Sequence, residues 1–560
     1  MGRSPVRMRF FAPIEVPLLK SQFVEIGAII LKNRQNEWHS HRRNLSMTWV
    51  SPPTDSLPPA SPRRKNGLPP FFVWFGRALV ALAFIAVLVT AGRSVVLWFH
   101  QAREALDYPY SLNYGEGPLL DQVVRLATGG DLYDGDLSTP PYTITNYPPL
   151  YLLAQTPFYG LYGPAFWYGR LISLVSAVMA ALFLALTIRA AARDTLAGLA
   201  AGMMLFAVPY IFFWSALARI DTLALALSMI GLWLVVRFSG SSGAVVLAAL
   251  FLAAAGYTRQ TYLLAAPLAA FYWLWGARER YRALLLAVTF FSAVLILFAF
   301  LLVITRGGIF FHLVTANINL LDRAILDTYL NEYAQHLPLL LAAGGLVFFF
   351  GGLIRRREAQ AKIWWLIAPF LAGGLITALT ISKVGSDVNY LYEISAALCM
   401  AAGALVAAFR RLAPVRALIL LLLAVQILLA GDLSERKYAP IISERISQRD
   451  QVARLADAIR SIDGEIIADE YMGMLVLLGR PITFQPFEMS QLALAEIWDQ
   501  TPFLEGLIRG DYPYVLLYQP YRNPNLRFER WTPAMLRAIN RYYRPGLQGA
   551  EATLYTHTGQ

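Results

Sequence analysis

The chain contains a single cysteine, Cys399, among its 560 residues. One thiol inside an apolar run excludes a disulfide framework and a Cys/His zinc site, and we expect it to be a packing residue. Charged residues are also scarce, at 15% of the chain, whereas soluble proteins carry about a quarter. The sequence has no P-loop, HExxH or GxSxG motif, so nothing in it indicates nucleotide hydrolysis, zinc peptidase or serine hydrolase chemistry.

Apolar residues, by contrast, make up 57% of the chain. Runs of about 18 or more apolar residues recur, which is typical of transmembrane helices, so the sequence predicts a mainly α-helical, integral multi-pass membrane protein. The net charge of +12 does not indicate a nucleic-acid partner. The basic residues cluster between the apolar runs, as topology signals do.

The first 70 residues hold eleven Lys/Arg, four Asp/Glu and a proline-rich end. This composition predicts a disordered, basic cytoplasmic tail over residues 1–70. The apolar stretch 23–31 is too short to span a membrane and lacks a nearby cleavage site of a signal peptide. Met47 is an alternative start to Met1. Three basic residues precede the first apolar run and put the N-terminus in the cytoplasm: Arg63, Arg64 and Lys65.

About eleven segments are predicted to cross the membrane. They are residues 71–98, 165–190, 194–214, 219–238, 242–257, 261–277, 282–305, 336–354, 362–381, 390–410 and 413–431. Segment 149–162 is apolar but too short to span, so we interpret it as an interfacial helix in the first outer loop, residues 99–164. If segment 149–162 does not cross the membrane, the basic clusters between later spans all face the cytoplasm, as the positive-inside rule requires.

The same topology gathers a second set of polar residues at the outer face. They are Glu116, Arg219, Asp221, Arg259, Gln260, Arg306, His312, Lys383, Asp387, Asn389, Tyr390 and Glu393. Charged groups at membrane depth are expensive and usually line a cavity or a partner site. We therefore expect an outward-facing polar cavity that receives an anionic, membrane-borne ligand.

After the last span, residues 433–560 carry more charge and shorter apolar runs. The spacing of apolar residues predicts a helix over 451–462, and short strands are expected at 465–468, 482–485 and 514–518. We interpret this part as a small extracytoplasmic α/β domain, because it follows an odd number of spans.

Glu116 lies in the turn-rich phrase Asn113-Tyr114-Gly115-Glu116-Gly117-Pro118 of the first outer loop. An acid held at a helix start beside a membrane cavity can deprotonate an acceptor hydroxyl or amine as a general base. The alternative is a capping or solvated acid. Asp221, in Arg219-Ile220-Asp221-Thr222, also has two interpretations: a helix-dipole cap, or an acid that orients either a phosphate-binding Arg219 or the acceptor.

Two further polar turns interrupt the apolar runs at the outer face. In the first, Arg259 and Gln260 stand between two spans, and Arg259 could snorkel or hold a lipid phosphate. In the second, SKVGSDVNYLYE, Lys383 and the pair Asn389-Tyr390 precede a span. They could clamp a pyrophosphate or a sugar, or belong to an ordinary polar loop.

In combination these features resemble the GT-C membrane glycosyltransferases. The likeness is carried by an acidic loop after the first span, Tyr147-Pro148-Pro149-Leu150-Tyr151, Arg219-x-Asp221, Arg259-Gln260-Thr261 and Asn389-Tyr390 before a late span. It is greatest to the glycosyltransferase 39 group, which includes protein mannosyltransferases, aminoarabinose transferases of lipid A and Rgt-like lipopolysaccharide glycosyltransferases. It covers roughly residues 71–432, with the C-terminal part 433–560 matching loosely.

The resemblance implies inverting transfer of a hexosyl or pentosyl group from a polyprenyl-phosphate donor to a lipid, glycan or protein acceptor. The setting would be the outer face of a bacterial plasma membrane. Glu116 and Asp221 match the catalytic acids of the first and second outer loops. The residues expected to bind the donor phosphate or the substrate are Tyr147, Arg219, Arg259, Gln260, Lys383, Asn389 and Tyr390.

One departure from the family concerns the first loop. Many relatives carry Asp-Glu there, whereas this chain has Gly115-Glu116. Either Glu116 suffices, or Asp107 or Asp121 contributes, or the activity has drifted. The resemblance implies no cofactor and no metal site, although it leaves a divalent metal as an alternative.

Two other classes of function compete with a transferase. A transporter or flippase would place coupling acids at the midplane of the membrane and show paired broken helices or inverted repeats. A non-catalytic membrane scaffold would present the C-terminal domain to partners and would not need the acids and bases of the outer face.

Overall fold

The structure is a computed structural model that describes residues 70–317, 319–351, 358–521 and 523–559. Apart from Pro70, the tail predicted for residues 1–70 lies outside the described residues.

The N-terminal three quarters of the described chain is built from helices, because backbone polar groups in a bilayer must be satisfied within their own segment. The α-helices of this part are Pro70–Asp107, Glu116–Thr128, Leu150–Tyr162, Trp167–Ala192, Thr195–Ala207, Pro209–Trp214, Asp221–Arg237, Ser242–Thr258, Ala265–Gly276, Arg280–Ile304, Gly308–Phe310, Arg323–His336, Pro338–Phe350, Glu358–Leu379, Tyr392–Ala408 and Ala413–Leu433. Short 3-10 turns at Gln260–Leu263, Thr380–Ser382 and Val388–Leu391 join some of them.

Six helices among the described residues are long and apolar enough to cross a membrane. They are Phe71–Asp107, Trp167–Ala192, Arg280–Ile304, Lys362–Ser382, Val388–Ala408 and Ala413–Ser447. A seventh span is possible if the bent pair Arg323–His336 and Pro338–Phe350 is counted as one. The chain is therefore an integral multi-pass membrane protein, and the number of about eleven spans stays a prediction.

Two predicted spans are interrupted by proline. The segment 194–214 forms helix Thr195–Ala207 and, after Val208, the separate helix Pro209–Trp214. At the start of 336–354, Pro338 opens a new helix that bends by 94° from the preceding one. Proline lacks an amide proton and its ring clashes with the previous turn, so it begins helices more readily than it continues them.

A helix occurs where the interfacial segment was expected, at Leu150–Tyr162. Its 13 residues extend about 20 Å at 1.5 Å per residue, which is less than the ~30 Å hydrocarbon core of a bilayer. It packs beside helix Glu116–Thr128 of the same loop.

The C-terminal part combines short helices with a small sheet. The helices are Ala439–Ser447, Arg449–Arg460, Met472–Leu477, Pro486–Leu494, Thr501–Arg509, Leu526–Arg530 and Pro533–Tyr542. The strands are β1 (Ile466–Ala468), β2 (Tyr514–Tyr518), β3 (Tyr543–Gly549) and β4 (Ala552–His557), in the spatial order β1-β2-β4-β3. β1 runs parallel to β2, and the other two pairings are antiparallel. The predicted α/β composition of this part is confirmed.

The expected strands 465–468 and 514–518 correspond to β1 and β2, whereas the prediction of a sheet strand at 482–485 was wrong. That segment pairs instead with the first outer loop: the Tyr142 amide donates to the Thr483 carbonyl at 2.7 Å, and the Gln485 amide donates to the Tyr142 carbonyl at 3.0 Å. An extended apolar segment can satisfy its backbone on any free edge, and here the edge belongs to the loop. The sequence analysis also missed β3, most of which is exposed, and β4, in which Ala552, Thr553 and Leu554 are buried.

The first outer loop and the C-terminal part share one apolar core. Leu120 of the loop, together with Phe166 and Tyr168 just after it, packs with the residues around β1 and helix Met472–Leu477. The two backbones meet at Gly117 and Gly473, where a Cβ on Gly117 would lie 2.7 Å from the Gly473 amide nitrogen. Two glycines at this crossing let the loop helix and the C-terminal helix approach closely.

Candidate functional site

A cavity of about 330 Å³ lies where the first outer loop, the helix junctions and the C-terminal part meet. All seven residues predicted to bind the donor phosphate or substrate line it: Tyr147, Arg219, Arg259, Gln260, Lys383, Asn389 and Tyr390. They come from four segments that are far apart in the sequence. The structure therefore brings together the whole predicted binding set.

The cationic wall of the cavity holds several polar atoms without a hydrogen-bond partner among the described residues. These buried atoms are Arg219 Nε, Arg259 Nη2, Arg530 Nη1, Gln260 Oε1 and Asn389 Oδ1. Leaving a buried donor or acceptor unsatisfied costs about 1–3 kcal/mol. Such a concentration in one cavity indicates a site that receives a polar ligand, and the three guanidinium atoms favour an anion.

Asp221 lies behind this wall and is fully buried. Its Oδ1 accepts hydrogen bonds from Arg259 and from Asn389 Nδ2, the latter at 3.0 Å, and its Oδ2 accepts from Trp214 Nε1 at 2.6 Å. Arg259 also stacks on Tyr390, with Cζ 4.3 Å from the ring centre. The carboxylate thus holds Arg259 and Asn389 in place and does not itself face the cavity.

Arg219 crosses the first outer loop directly over Gly115. A Cβ at Gly115 would lie 1.5 Å from Arg219 Nη1, so only glycine permits this arrangement. The guanidinium lies 5.2 Å from the Trp214 ring centre, and its Nη2 donates to the Tyr147 hydroxyl at 3.4 Å. The absence of a side chain at Gly115 is what lets Arg219 reach the cavity.

Glu116 points away from the cavity and is fully buried. Its carboxylate accepts from Arg170 Nε at 2.9 Å and Nη2 at 2.8 Å, from the Leu112 amide at 2.6 Å and from the Ala218 amide at 2.6 Å. Arg170 is itself fully buried and also donates to three backbone carbonyls. Both oxygens are occupied, so the pair ties the loop to helix Trp167–Ala192. The catalytic role predicted for Glu116 stays a prediction.

Two more predicted residues, Gln260 and Lys383, form hydrogen bonds to other residues of the cavity lining. Gln260 Nε2 donates to the Asn146 carbonyl at 3.0 Å, and Lys383 Nζ donates to Asn317 Oδ1. Burial lowers the pKa of Lys383 from its ordinary value. The ammonium is therefore held in a partly dry setting, where its attraction for an anion is less screened.

Sequence reasoning missed the contribution of the C-terminal part. Glu488 and Arg530 line the cavity, and Arg530 donates to Glu470 at 2.6 Å. Burial raises the pKa of Glu488, and the hydrogen bond from Tyr114 works against that rise. Neither residue stands in a recognisable motif. Only the packing of the C-terminal part on the loop brings them to the cavity.

A larger cavity of about 1210 Å³ lies at the other ends of the same helices. Its described lining includes six basic residues, Arg189, Arg193, Arg237, Lys362, Arg410 and Arg411, and no carboxylate. Because the described lining of this larger cavity offers no carboxylate for general acid or base catalysis, the smaller cavity is the better candidate for an active site. In the described part of the chain, no group of three or more His, Cys, Asp and Glu side chains has a metal-binding arrangement.

The fold is similar to that of ArnT from Cupriavidus metallidurans in two crystal structures. The apo structure is 14% identical, with 84% of this chain and 98% of that chain covered and a TM-score of 0.53. The structure bound to undecaprenyl phosphate is also 14% identical, with 84% and 97% covered and a TM-score of 0.50. No family model and no curated protein sequence matches the chain. At this identity the likeness shows the fold alone, and it confirms the predicted fold of the membrane part.

Proposed function

We propose that this protein is a glycosyltransferase that moves a sugar from a polyprenyl-phosphate donor to a lipid, glycan or protein acceptor. The observation that carries the proposal is the set of unpartnered guanidinium atoms of Arg219, Arg259 and Arg530 in one cavity. A crystal structure with a similar fold, that of ArnT, holds undecaprenyl phosphate. A lipid-linked phosphate is a ligand that would satisfy these cations here.

The chemistry of the cavity suits a phosphate leaving group. When the bond between the sugar and the phosphate breaks, negative charge develops on the phosphate oxygens. Fixed cations aimed at that position stabilise the transition state without reorganising, and a water-poor site strengthens their effect. Asp221 contributes by holding Arg259 in position through their ion pair.

The positions of the two cavities support the predicted topology. Helix Trp167–Ala192 carries Arg170 beside the small cavity and Arg189 in the basic one. Its 26 residues extend about 39 Å, enough to cross a bilayer. By the positive-inside rule, the basic cavity then lies on the cytoplasmic side, as does the N-terminus. The small cavity lies at the outer face of a bacterial plasma membrane.

The competing classes explain less of this arrangement. A scaffold has no use for buried guanidinium atoms that lack a hydrogen-bond partner, since each such atom destabilises the fold. A transporter or flippase of an anionic lipid could use the same cations, but it would release the donor unchanged. A transferase and a transporter therefore differ in whether the bond between sugar and phosphate is broken.

The experiment measures sugar release from labelled polyprenyl-phosphate sugars by membranes containing the full chain. A Lys383→Ala variant removes one cavity cation without stranding a buried carboxylate. A hydrogen bond to a charged group contributes about 1.5–3 kcal/mol, so we expect the KM for the donor to rise roughly 10- to 150-fold.

The matched control is Lys437→Ala, because Lys437 lies at the surface in an ion pair with Glu332. It should keep the wild-type KM. Movement of an intact donor across the membrane without sugar release would contradict the transferase and favour the flippase. Binding of no lipid phosphate would contradict both.

A further inference from the structure

Three carboxylates line the candidate cavity in the described part of the chain: Asp387, Glu488 and Glu529. Glu116 and Asp221 are not among them, because both are fully buried and engaged by arginine. A transfer reaction that takes a proton from an acceptor needs a base in the cavity itself. Only one of these three cavity-lining carboxylates is well placed to serve.

Asp387 and Glu529 are less suited to this role. The Asp387 side chain accepts from the Val388 amide at 2.7 Å and caps the turn Val388–Leu391. Glu529 is exposed on the five-residue helix Leu526–Arg530, so water competes for its carboxylate. Asp387 is thus engaged by the backbone, and the exposed Glu529 has no fixed orientation.

Glu488 is held and yet not neutralised. It lies in the first turn of helix Pro486–Leu494, and its Oε2 accepts from the Tyr114 hydroxyl at 2.8 Å. The Phe487 amide donates to the same hydroxyl at 3.3 Å, which orients the phenol. No ion pair to Glu488 occurs among the described residues. The hydrogen bond from Tyr114 therefore fixes the orientation of the carboxylate, and no described residue neutralises its charge in a salt bridge.

The position of Tyr114 places Glu488 against the first outer loop. Tyr114 immediately precedes Gly115, the residue without a side chain over which Arg219 lies. The guanidinium of Arg530 stacks on the Tyr114 ring, with its Cζ 4.6 Å from the ring centre. The carboxylate thus stands beside the same loop as two of the cavity's cations, on the wall contributed by the C-terminal part.

We propose that Glu488 is the catalytic base of the transfer, an inference that rests on the proposed function. The acceptor hydroxyl oxygen attacks the anomeric carbon, and its proton passes to the Glu488 carboxylate. The bond between the anomeric carbon and the phosphate oxygen breaks, and the polyprenyl phosphate leaves with the electron pair. The C-terminal part is then a component of the active site.

The surroundings of Glu488 favour its role as a base. Burial raises its pKa from the ordinary value of a glutamate, and a stronger base accepts a proton more readily. Glu116 differs, because both of its oxygens already accept hydrogen bonds from Arg170 and from backbone amides.

The test uses the full-length chain in membranes with a panel of labelled polyprenyl-phosphate sugars. Glu488→Gln keeps the shape of the side chain and removes its basicity. We expect turnover to fall about 10²- to 10⁴-fold, the usual contribution of a general base. Undecaprenyl phosphate needs no base to bind, so its dissociation constant should stay within about twofold of the wild-type value. Glu488→Asp should retain part of the activity.

The control is Glu505→Gln, which makes the same change at an exposed position in helix Thr501–Arg509 of the same C-terminal part. Equal turnover by Glu488→Gln and wild type would overturn the inference while leaving the proposed function intact. A parallel loss of undecaprenyl phosphate binding, or a larger loss of turnover in Asp387→Asn, would also overturn it. If wild type consumes no donor in the panel, the proposed function fails, and the inference fails with it.

Discussion

Replacing Glu116 by glutamine separates two interpretations of the first outer loop. If Glu116 were an accessible base, Glu116→Gln would fold normally and lose turnover. In the structure, its Oε1 accepts from Arg170 Nε and the Ala218 amide, and its Oε2 accepts from Arg170 Nη2 and the Leu112 amide. A glutamine amide in either orientation would put its own N–H groups against two of these donors. We therefore expect mainly a loss of stability.

The magnitude follows from the burial of the pair. Both side chains have an exposed fraction of 0%, and removing one partner of a buried ion pair costs about 3–5 kcal/mol because the other charge is left unpaired. A typical free energy of unfolding is about 5–15 kcal/mol. The substitution should thus remove about a fifth or more of the stability of a protein in that range. Arg170→Met should cost at least as much, since Arg170 also satisfies the carbonyls of Ala105, Tyr108 and Tyr110.

The assay is thermal unfolding of purified protein in one detergent, with the folded fraction measured by gel filtration. Glu505→Gln is the matched control, because its exposed pair with Arg509 contributes less than about 1 kcal/mol. We expect a clearly lower unfolding midpoint for Glu116→Gln only. An unchanged midpoint combined with abolished turnover would refute this reasoning and return Glu116 to the role of base.

Three further predictions concern the cavity. Gly115→Ala would drive a Cβ into Arg219 Nη1 and should raise the KM for the donor about tenfold or more, whereas Gly160→Ala, with nothing within 4 Å, should not. Asp221→Asn should weaken undecaprenyl phosphate binding in a direct binding assay, because its amide would oppose the donors of Arg259, Asn389 or Trp214. Exposed Asp457→Asn is its control, and equal binding by both variants would contradict the positioning role. Turnover should fall on acidification at a higher pH than an ordinary glutamate would give, since the base must be deprotonated and burial raises the pKa of Glu488. The KM should rise on the alkaline side below the ordinary lysine range, because burial lowers the pKa of Lys383; a pH profile lacking both limbs would contradict these assignments.

Much of the binding wall was predictable from sequence because charge in a membrane protein is informative. Arg219, Arg259 and Lys383 interrupt apolar runs, where each charge is costly unless it has a purpose. The positive-inside rule then assigns them to one face without any knowledge of packing. All seven predicted binding residues do line one cavity.

The roles of the acids were harder to predict. Glu116 and Asp221 stand in the expected segments, but the direction of a side chain depends on which donors surround it. Arg170 lies 54 residues from Glu116, and in the sequence it is an ordinary basic residue near the start of a span. No local pattern identifies such a partner, so the sequence could not show that Glu116 is enclosed.

By itself, the sequence determined that this is a multi-pass membrane protein with a polar face and a small α/β part at its C-terminus. Those properties follow from composition, run length and the placement of charge, which are local or additive along the chain. Only the tertiary structure decided which carboxylates reach the cavity and that Glu488 and Arg530 stand beside the first outer loop. Contacts between residues several hundred positions apart depend on packing, such as the crossing of Gly117 and Gly473, and packing leaves no periodic signal in the chain.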